Sequence, residues 1–233
     1  MRASLWRKRL CPSSPYPPLE FRVGAYDEQI RLDIRRTSDH PWFEPHRETL
    51  ISILNTFSTV NQSFGYPQGL NYLVFPLFYV FHNDAPKTSV EDTFYALQSL
   101  VRIVLPVYPL NSKDTSALRV IESVSNLVCL ECWGKEPALE ILFSETHKPF
   151  VTSLVTCMLP TLYANVFQLQ DTLLLWDRIF EKPDFHAMFD ASVRVLVESM
   201  LYHKNMFLHL PVTKCMELFQ RTLKESISVC ASI

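Results

Sequence analysis

Apolar residues recur along most of the chain at intervals of three and four, the spacing of one buried face of an amphipathic helix. The first stripe is Leu50, Leu54 and Phe57, and Pro45 just before it suits the first turn of a helix. Four further stripes have this spacing: Val90, Phe94, Leu97, Val101 and Val104; Leu118, Ile121, Ser125 and Val128; Phe185, Met188, Phe189, Leu196 and Met200; Val212, Met216, Phe219, Leu223 and Ile227. The pattern predicts a succession of amphipathic helices.

Two of these helices have candidate starting signals. Thr88 with Glu91, or Ser89 with Asp92, has the spacing of a capping box, in which two side chains satisfy free backbone N–H groups at the helix start. Asp184 is a candidate N-cap for the helix that carries Phe185.

Strand-like alternation is nearly absent from the chain. The one short exception is Ile30, Leu32 and Ile34, and Ile30 and Ile34 also share a helical face. Only four glycines occur, too few for the tight hairpins of an all-β protein. We therefore expect an all-α fold in one domain over 1–233, with room for two closely packed subdomains.

Residues 11–20 contain four prolines and two serines, which predicts an extended connector too close to the N-terminus to divide two domains. The most apolar run, Tyr72–Phe81, is too short to span a bilayer and contains Pro76. The basic segment MRASLWRKRL is not followed by the apolar core of a signal peptide. These features favour a soluble, cytosolic protein.

The net charge says little about what kind of partner the chain binds. The chain has 22 basic and 24 acidic residues, for a formal net charge of −2. Binding to nucleic acid or to a membrane through bulk electrostatics is therefore not expected. A partner would have to be recognised locally.

Six cysteines are scattered along the chain, and only Cys129 and Cys132 form a C-x-x-C pair. No second pair completes a tetrahedral zinc site, and Leu127, Val128 and Leu130 indicate a helix interior. We expect buried, inert thiols in a reducing compartment.

Motifs of self-contained enzymes are missing. The chain has no G-x-x-x-x-G-K-[ST], G-x-G-x-x-G, H-E-x-x-H or G-x-S-x-G sequence. Two histidines, His40 and His46, share a proline-flanked region, but lone histidines of this kind are more often surface or capping groups than ligands. A metabolic enzyme with its own nucleotide or metal site is not expected.

The first of two polar outliers is IRLDIRRT, Ile30–Thr37. Asp33 and Arg36 are three apart, so a helical turn would put both on one face, where the carboxylate could orient the guanidinium group. Taken alone, Arg36 beside Arg35 and Arg31 is most simply part of a solvated face.

The second outlier is GYPQGLN, Gly65–Asn71. In it Pro67 fixes φ, Gly65 and Gly69 permit tight turning, and Tyr66 provides a rigid ring. Such a segment would hold the Gln68 amide near the surface, with the apolar run behind it as a foundation. Taken alone, Gln68 is an ordinary turn residue.

With these two segments in order, the sequence resembles the TBC (Tre-2/Bub2/Cdc16) domain of Rab GTPase-activating proteins. The I-x-x-D-x-x-R motif of that family matches Ile30, Asp33 and Arg36, and its Y-x-Q motif matches Tyr66 and Gln68. Arg2-x-x-Leu5-Trp6 resembles the opening R-G-x-x-W, Thr161–Phe180 is similar to the T-L-F…L-R-x-W-D segment, and Val212–Ile227 falls where the last helices lie. The chain departs from the family pattern at Ala3, Ser38, Met158 and Gln168.

The resemblance implies a two-lobed helical domain that docks on a GTP-bound Rab protein and thereby regulates vesicle trafficking. It implies that Arg36 is an arginine finger and Gln68 a glutamine finger, with Asp33 holding Arg36 and with Tyr66 and Gly69 supporting the loop. GTP and magnesium would belong to the Rab, so no cofactor of the chain's own is expected. The chain would be an activator rather than an enzyme in its own right, and would reach endomembranes only through the Rab.

Several other assignments remain open at the level of sequence. The alternative function is a TBC-type helical module that binds a GTPase or scaffold without stimulating hydrolysis, and an unrelated all-α scaffold is a third. Asn71 is expected to tie the loop to neighbouring backbone. Trp176 and Asp177 are most simply structural, the first as a core indole and the second as a carboxylate bonded to backbone or to an arginine.

Overall fold

A computed structural model describes residues 1–12, 16–17, 19–108, 115–182 and 184–223, and within these ranges every regular element is helical. The α-helices are α1 Arg2–Leu10, α2 Asp27–Arg35, α3 Arg47–Val60, α4 Leu70–Asp84, α5 Ser89–Val104, α6 Ser116–Lys135, α7 Lys148–Met158, α8 Leu169–Ile179, α9 Phe185–Tyr202, α10 Lys204–His209 and α11 Val212–Leu223. Short 3-10 segments lie at Glu44–His46, Leu105–Val107 and Pro137–Phe143. The prediction of an all-α fold is confirmed.

The described residues form two compact units. The first comprises residues 1–105 with 180–182, and the second comprises 106–179 with 184–223, apart from the positions outside the described ranges. Helices α1 to α5 belong to the first unit, and helices α6 to α11 belong to the second.

The core of the first unit is built on α4. This helix contains the apolar run Tyr72–Phe81, and Pro76 lies inside it. The Trp6 ring of α1 is completely buried and packs edge-on against Phe81 and Phe180, with ring centroids 6.5 and 5.0 Å away. Because α4 is apolar on nearly all sides, it can be stable in water only as a core helix. Within the described residues, no helix combines the length and apolar character that crossing a bilayer requires.

Two predicted helix starts in the first unit need correction. Pro45 lies in the 3-10 segment Glu44–His46, and α3 begins two residues later at Arg47. Neither predicted capping box before α5 forms, because the N-cap residue Thr88 makes no side-chain capping bond and its hydroxyl donates instead, at 3.1 Å, to the Asp92 carboxylate. That carboxylate also accepts from the Arg7 guanidinium group at 2.6 Å and from the Tyr16 hydroxyl at 2.8 Å. A tertiary ion pair has replaced a local cap.

The connector, residues 11–20, lies against α5 in its described part, and the residues that follow it up to Gly24 lie against α3. Tyr16 stacks on Tyr95 with ring centroids 4.7 Å apart. The Arg22 N–H donates to the Thr56 hydroxyl at 3.2 Å, and the Gly24 N–H donates to the Asn55 carboxamide oxygen at 3.2 Å. The described part of 11–20 is non-helical, as predicted, and hydrogen bonds join it to α5: Tyr16 donates to the Asp92 carboxylate at 2.8 Å, and the Tyr95 hydroxyl donates to the Pro17 carbonyl at 3.3 Å.

Helix α6 is central to the second unit. Ile121, Ser125 and Val128 are buried as predicted, whereas Leu118 in the first turn is 53% exposed, which corrects its assignment to the buried stripe. Cys129 and Cys132 are buried, and burial raises the pKa of their thiols to about 11 and about 12. The prediction of buried thiols is confirmed.

The remaining predicted helices of the second unit are also present. Helix α9 begins at Phe185, directly after Asp184, and its Met188, Leu196 and Met200 are buried. Phe219 of α11 is buried, while Ile227 and the side chains of Met216 and Leu223 lie outside the described residues. The Trp176 indole is a core group, as predicted, and donates to the Leu162 carbonyl at 3.0 Å.

Candidate functional site

Helix α2 presents Arg36 at its C-terminal end. Ile30 and Ile34 are buried on one face of this helix, so the segment adopts the helical alternative rather than a strand. Asp27 in the first turn favours the helix by interacting with its dipole. Arg36 is the C-terminal cap, and its side chain remains 62% exposed.

Arg31, five residues before Arg36, has a different environment from Arg36. Its guanidinium group donates to Asp27 at 2.9 Å and to Glu48 at 3.1 Å, in an exposed cluster of ion pairs. Arg31 therefore fits the solvated-face interpretation. Arg36 does not, because its carboxylate partner is buried.

That partner is Asp33, which is only 3% exposed. Its carboxylate accepts from the Arg36 guanidinium group at 2.5 Å and from the Tyr66 hydroxyl at 3.1 Å. Tyr66 is itself buried and belongs to the second polar segment. The predicted Asp33–Arg36 contact is present, and Asp33 also joins the two segments.

The loop before α4 is shaped by two glycines. Gly65 has φ +66° and Gly69 has φ +108°, in the left-handed region that favours glycine. A Cβ at Gly65 would lie 2.8 Å from the Tyr26 hydroxyl oxygen, so the Tyr26 side chain would have to shift to admit a larger residue there. Gly69 is the N-cap of α4. The chain therefore turns sharply on both sides of Gln68, whose side chain is exposed.

A second link between the segments was not predicted from sequence. The Asn71 carboxamide donates to the Thr37 hydroxyl at 2.9 Å, and Asn71 is 1% exposed. The expectation that Asn71 bonds to neighbouring backbone is therefore wrong, because a side-chain acceptor lies within reach. Thr37 directly follows Arg36 and Asn71 lies three residues after Gln68, and this closeness to the motif positions is the local signal that could have suggested the pair.

The site thus consists of a hydrogen-bonded base, buried except for the half-buried Thr37, and two exposed side chains. Asp33, Tyr66, Thr37 and Asn71 form the base, and none of the hydrogen bonds that join them involves the Gln68 side chain. Arg36 and Gln68 are the exposed side chains. An exposed guanidinium group and an exposed carboxamide at the surface are placed to act on a group that a partner brings to them.

Comparison with known proteins points to one family. The family model described as the Rab-GTPase-TBC domain matches residues 20–208, most of the chain. Growth hormone-regulated TBC protein 1 of Rattus norvegicus is 28% identical over 137 residues, which is 58% of this chain and 43% of that protein. The Homo sapiens protein of the same name is 25% identical over 167 residues, or 69% of this chain and 46% of that protein. The chain spans less than half the length of both relatives.

Two solved structures share the fold. The Chlamydomonas flagellar RabGAP TBC domain superposes with a TM-score of 0.65 at 19% identity, over 98% of this chain and 69% of that one. The Ypt/Rab-GAP domain of Gyp1p superposes with a TM-score of 0.68 at 19% identity, over 94% of this chain and 72% of that one. At this level of identity the likeness concerns the fold.

Proposed function

The chain belongs to the Rab-GTPase-TBC domain family, and on that premise we propose that it accelerates GTP hydrolysis by a GTP-bound small GTPase of the Rab family. The observation that carries the proposal is the environment of Arg36. The Arg36 side chain is 62% exposed, yet its guanidinium group is bonded to the carboxylate of Asp33, whose side chain is 4% exposed. A surface arginine held by a buried anion is available to a partner and already oriented.

Arg36 acts as an arginine finger. During hydrolysis, negative charge spreads onto the oxygens around the γ-phosphate, and a guanidinium group supplied in trans neutralises it. Such a finger accelerates hydrolysis by about 10³–10⁵-fold, which corresponds to roughly 4–7 kcal/mol of the barrier. The planar guanidinium fork can meet two oxygens at once, which a lysine ammonium cannot do.

Gln68 acts as the second finger. Its carboxamide both donates and accepts, so it can orient the water that attacks the γ-phosphate. Support for this role comes from the loop, where Gly65 and Gly69 take left-handed conformations on either side of an exposed Gln68. Asp33 orients Arg36, and Tyr66 holds Asp33 from the loop that carries Gln68.

The partner supplies everything else in this proposal. GTP and magnesium belong to the Rab, and the chain contributes two side chains and a docking surface. The consequence would be regulation of vesicle trafficking by a cytosolic protein that reaches endomembranes through its Rab.

The test is single-turnover GTP hydrolysis by a panel of GTP-loaded Rab proteins, with wild type, Arg36→Ala and Gln68→Ala. We expect one or a few Rabs to respond to wild type, and both variants to lose the acceleration. Arg31→Ala is the matched control, because it removes an arginine of the same helix that is engaged in surface ion pairs. If a Rab binds in its GTP form and no Rab is accelerated, the chain is a binding module and the proposal is wrong.

A further inference from the structure

The two segments that carry Arg36 and Gln68 are tied together at two points. Asp33 accepts from Tyr66 at 3.1 Å, and Thr37 accepts from Asn71 at 2.9 Å. In each tie one residue comes from the end of α2 and the other from the region where α4 begins. All four residues belong to the first compact unit.

The two ties bracket both exposed residues along the chain. Asp33 precedes Arg36 and Thr37 follows it, while Tyr66 precedes Gln68 and Asn71 follows it. A single hydrogen bond between two segments would let one pivot about the other. Two bonds on opposite sides of each finger prevent that pivoting, so they fix the relative orientation as well as the separation.

The hydrogen-bond directions of the Thr37–Asn71 tie are fixed by the chemistry. The Thr37 hydroxyl proton is donated to the Asp33 carbonyl at 2.8 Å. The hydroxyl oxygen can then only accept, so the bond to Asn71 must come from the carboxamide nitrogen. That assignment leaves the Asn71 carboxamide oxygen buried with no hydrogen-bond partner.

A buried acceptor without a partner is unfavourable. An aliphatic residue at this position would avoid that cost, but it could not donate to Thr37. Stability alone therefore does not account for an asparagine here. Holding the loop against the end of α2 does account for it.

We propose that Thr37 and Asn71 are positioning residues that set the orientation of Gln68 relative to Arg36 before the GTPase binds. The inference rests on the proposed function, since positioning matters for hydrolysis only if both fingers act. Loss of the tie would leave Rab binding intact and lower the turnover number. Misplacement of a catalytic group by about 1 Å can cost on the order of 100-fold in rate.

The first experiment compares Thr37→Val with Thr37→Ser. Valine keeps the approximate shape and removes the hydroxyl, whereas serine keeps the hydroxyl. We expect Thr37→Val to lower the turnover number of the responsive Rab by about 10- to 100-fold. Its Kd for that Rab, loaded with a non-hydrolysable GTP analogue, should stay within about twofold, and Thr37→Ser should restore turnover.

The chain offers a closely matched control in Thr56. Its hydroxyl donates to the Ser52 carbonyl at 2.8 Å, four residues back, and accepts from the Arg22 N–H at 3.2 Å. This is the pattern of Thr37, at a place that touches neither finger. Thr56→Val should therefore destabilise the first unit in a similar way without changing the turnover number.

The second variant is Asn71→Asp. Asn71 is 1% exposed and donates through its carboxamide nitrogen to the Thr37 hydroxyl at 2.9 Å. The aspartate that replaces Asn71 has only acceptors at neutral pH, so the Thr37 hydroxyl can donate to the new side chain or to the Asp33 carbonyl but not to both. We expect a lower turnover number for Asn71→Asp.

A readout without GTPase separates this inference from the proposed function. NMR relaxation of the Gln68 side-chain amide reports how firmly the loop is held. The signal of this amide is assigned as the one that is missing from the spectrum of Gln68→Ala. Its order parameter should fall in Thr37→Val and stay at the wild-type value in Thr56→Val. An unchanged order parameter in Thr37→Val overturns the inference, as does an equal loss of turnover in both valine variants. If wild type accelerates no Rab, the proposed function is wrong and the NMR result still decides the positioning role.

Discussion

The two compact units differ in the polar groups that they bury. Among the described residues, the buried carboxylates and carboxamides all lie in the first unit: Asp33, Asn55, Asn71 and Asp92. The second unit buries hydroxyls, thiols and one histidine instead: Ser125, Thr161, Thr172, Ser192, Ser199, Cys129, Cys132, Cys215 and His147.

The difference lies in what the buried groups contact. Ser125 donates back to the Ile121 carbonyl of its own helix at 2.7 Å, so it leaves tertiary packing to its apolar neighbours. Asp33 and Asp92 also accept from a residue of their own segment, Arg36 and Thr88 respectively. In addition, both accept from residues on other segments of the chain. Burying a carboxylate is costly unless it is paired and hydrogen-bonded. In the first unit the buried carboxylates are paired and hydrogen-bonded, and they lie where separate segments of the chain are held in a definite arrangement.

The largest effect should come from Arg36→Lys. Lysine keeps the positive charge but lacks the planar fork, so the acceleration of hydrolysis should fall by about 10³–10⁵-fold. Because the side chain is 62% exposed, the Tm and the affinity for the GTP-bound Rab should change little. Single-turnover hydrolysis and a binding titration check both. Retained acceleration would mean that Arg36 does not act as a finger.

Asp92→Ala should have the largest effect on stability. Asp92 is buried and accepts from Arg7 at 2.6 Å, and Arg7 is itself only 25% exposed. Removal of the carboxylate leaves a half-buried guanidinium group with the exposed Asp84 as its remaining carboxylate partner. The free energy of unfolding should fall by about 3 kcal/mol, measured by urea denaturation.

The counterpart in the second unit is Ser125→Ala. The hydroxyl bonds only to the carbonyl one turn back, and alanine has the higher helix propensity, so the loss should be less than about 1 kcal/mol. Equal losses for Asp92→Ala and Ser125→Ala would contradict the distinction between the units.

Acid should weaken the first unit through His46. Burial lowers the pKa of His46 below its ordinary value, and nearby His82 adds to this by repulsion. In the unfolded chain the histidine has its ordinary pKa of about 6.5, so on acidification the unfolded state binds a proton before the folded state does. The stability that comes from the neutral imidazole is therefore complete above about pH 6.5 and is lost as the pH falls below that value. Denaturation at pH 7.5 and 5.5 should show a smaller difference for His46→Gln than for wild type.

His147 provides the same test in the second unit. It is 7% exposed, and burial lowers its pKa too. His147→Gln should therefore also reduce the pH dependence of unfolding. A variant that left the dependence unchanged would show that its histidine titrates alike in the folded and unfolded states.

The smallest effect concerns thiol labelling in the second unit. Cys157 is exposed, whereas burial raises the pKa of Cys129 to about 11 and of Cys132 to about 12. The thiolate is the reactive form, so iodoacetamide at pH 8 should modify Cys157 well before the other two. Peptide mass spectrometry after timed quenching measures the order. Early modification of Cys132 would mean that the core of the second unit opens readily.

Local patterns were sufficient to predict several helices of the fold, though not all of their starts. The three-and-four spacing of apolar residues predicted α3, α5, α6 and α9. It could do so because the residues that a helix buries on one face recur along the sequence with the period of the helix. The same rule left Ile30 and Ile34 open between strand and helix, and the structure places them on the buried face of α2. The rule failed at Leu118, since a first-turn residue is covered only if some other element packs there.

The candidate site was predictable in its parts. The sequence by itself determined the motif residues, the Asp33–Arg36 pairing within one helical turn and the need for glycine beside Gln68. Only the tertiary structure decided which side chains meet across segments: Tyr66 with Asp33, Asn71 with Thr37, and Arg7 with Asp92 rather than a capping box. The physical reason is that a helical turn relates residues three or four apart, whereas partners 30 or more positions apart are chosen by how the helices pack.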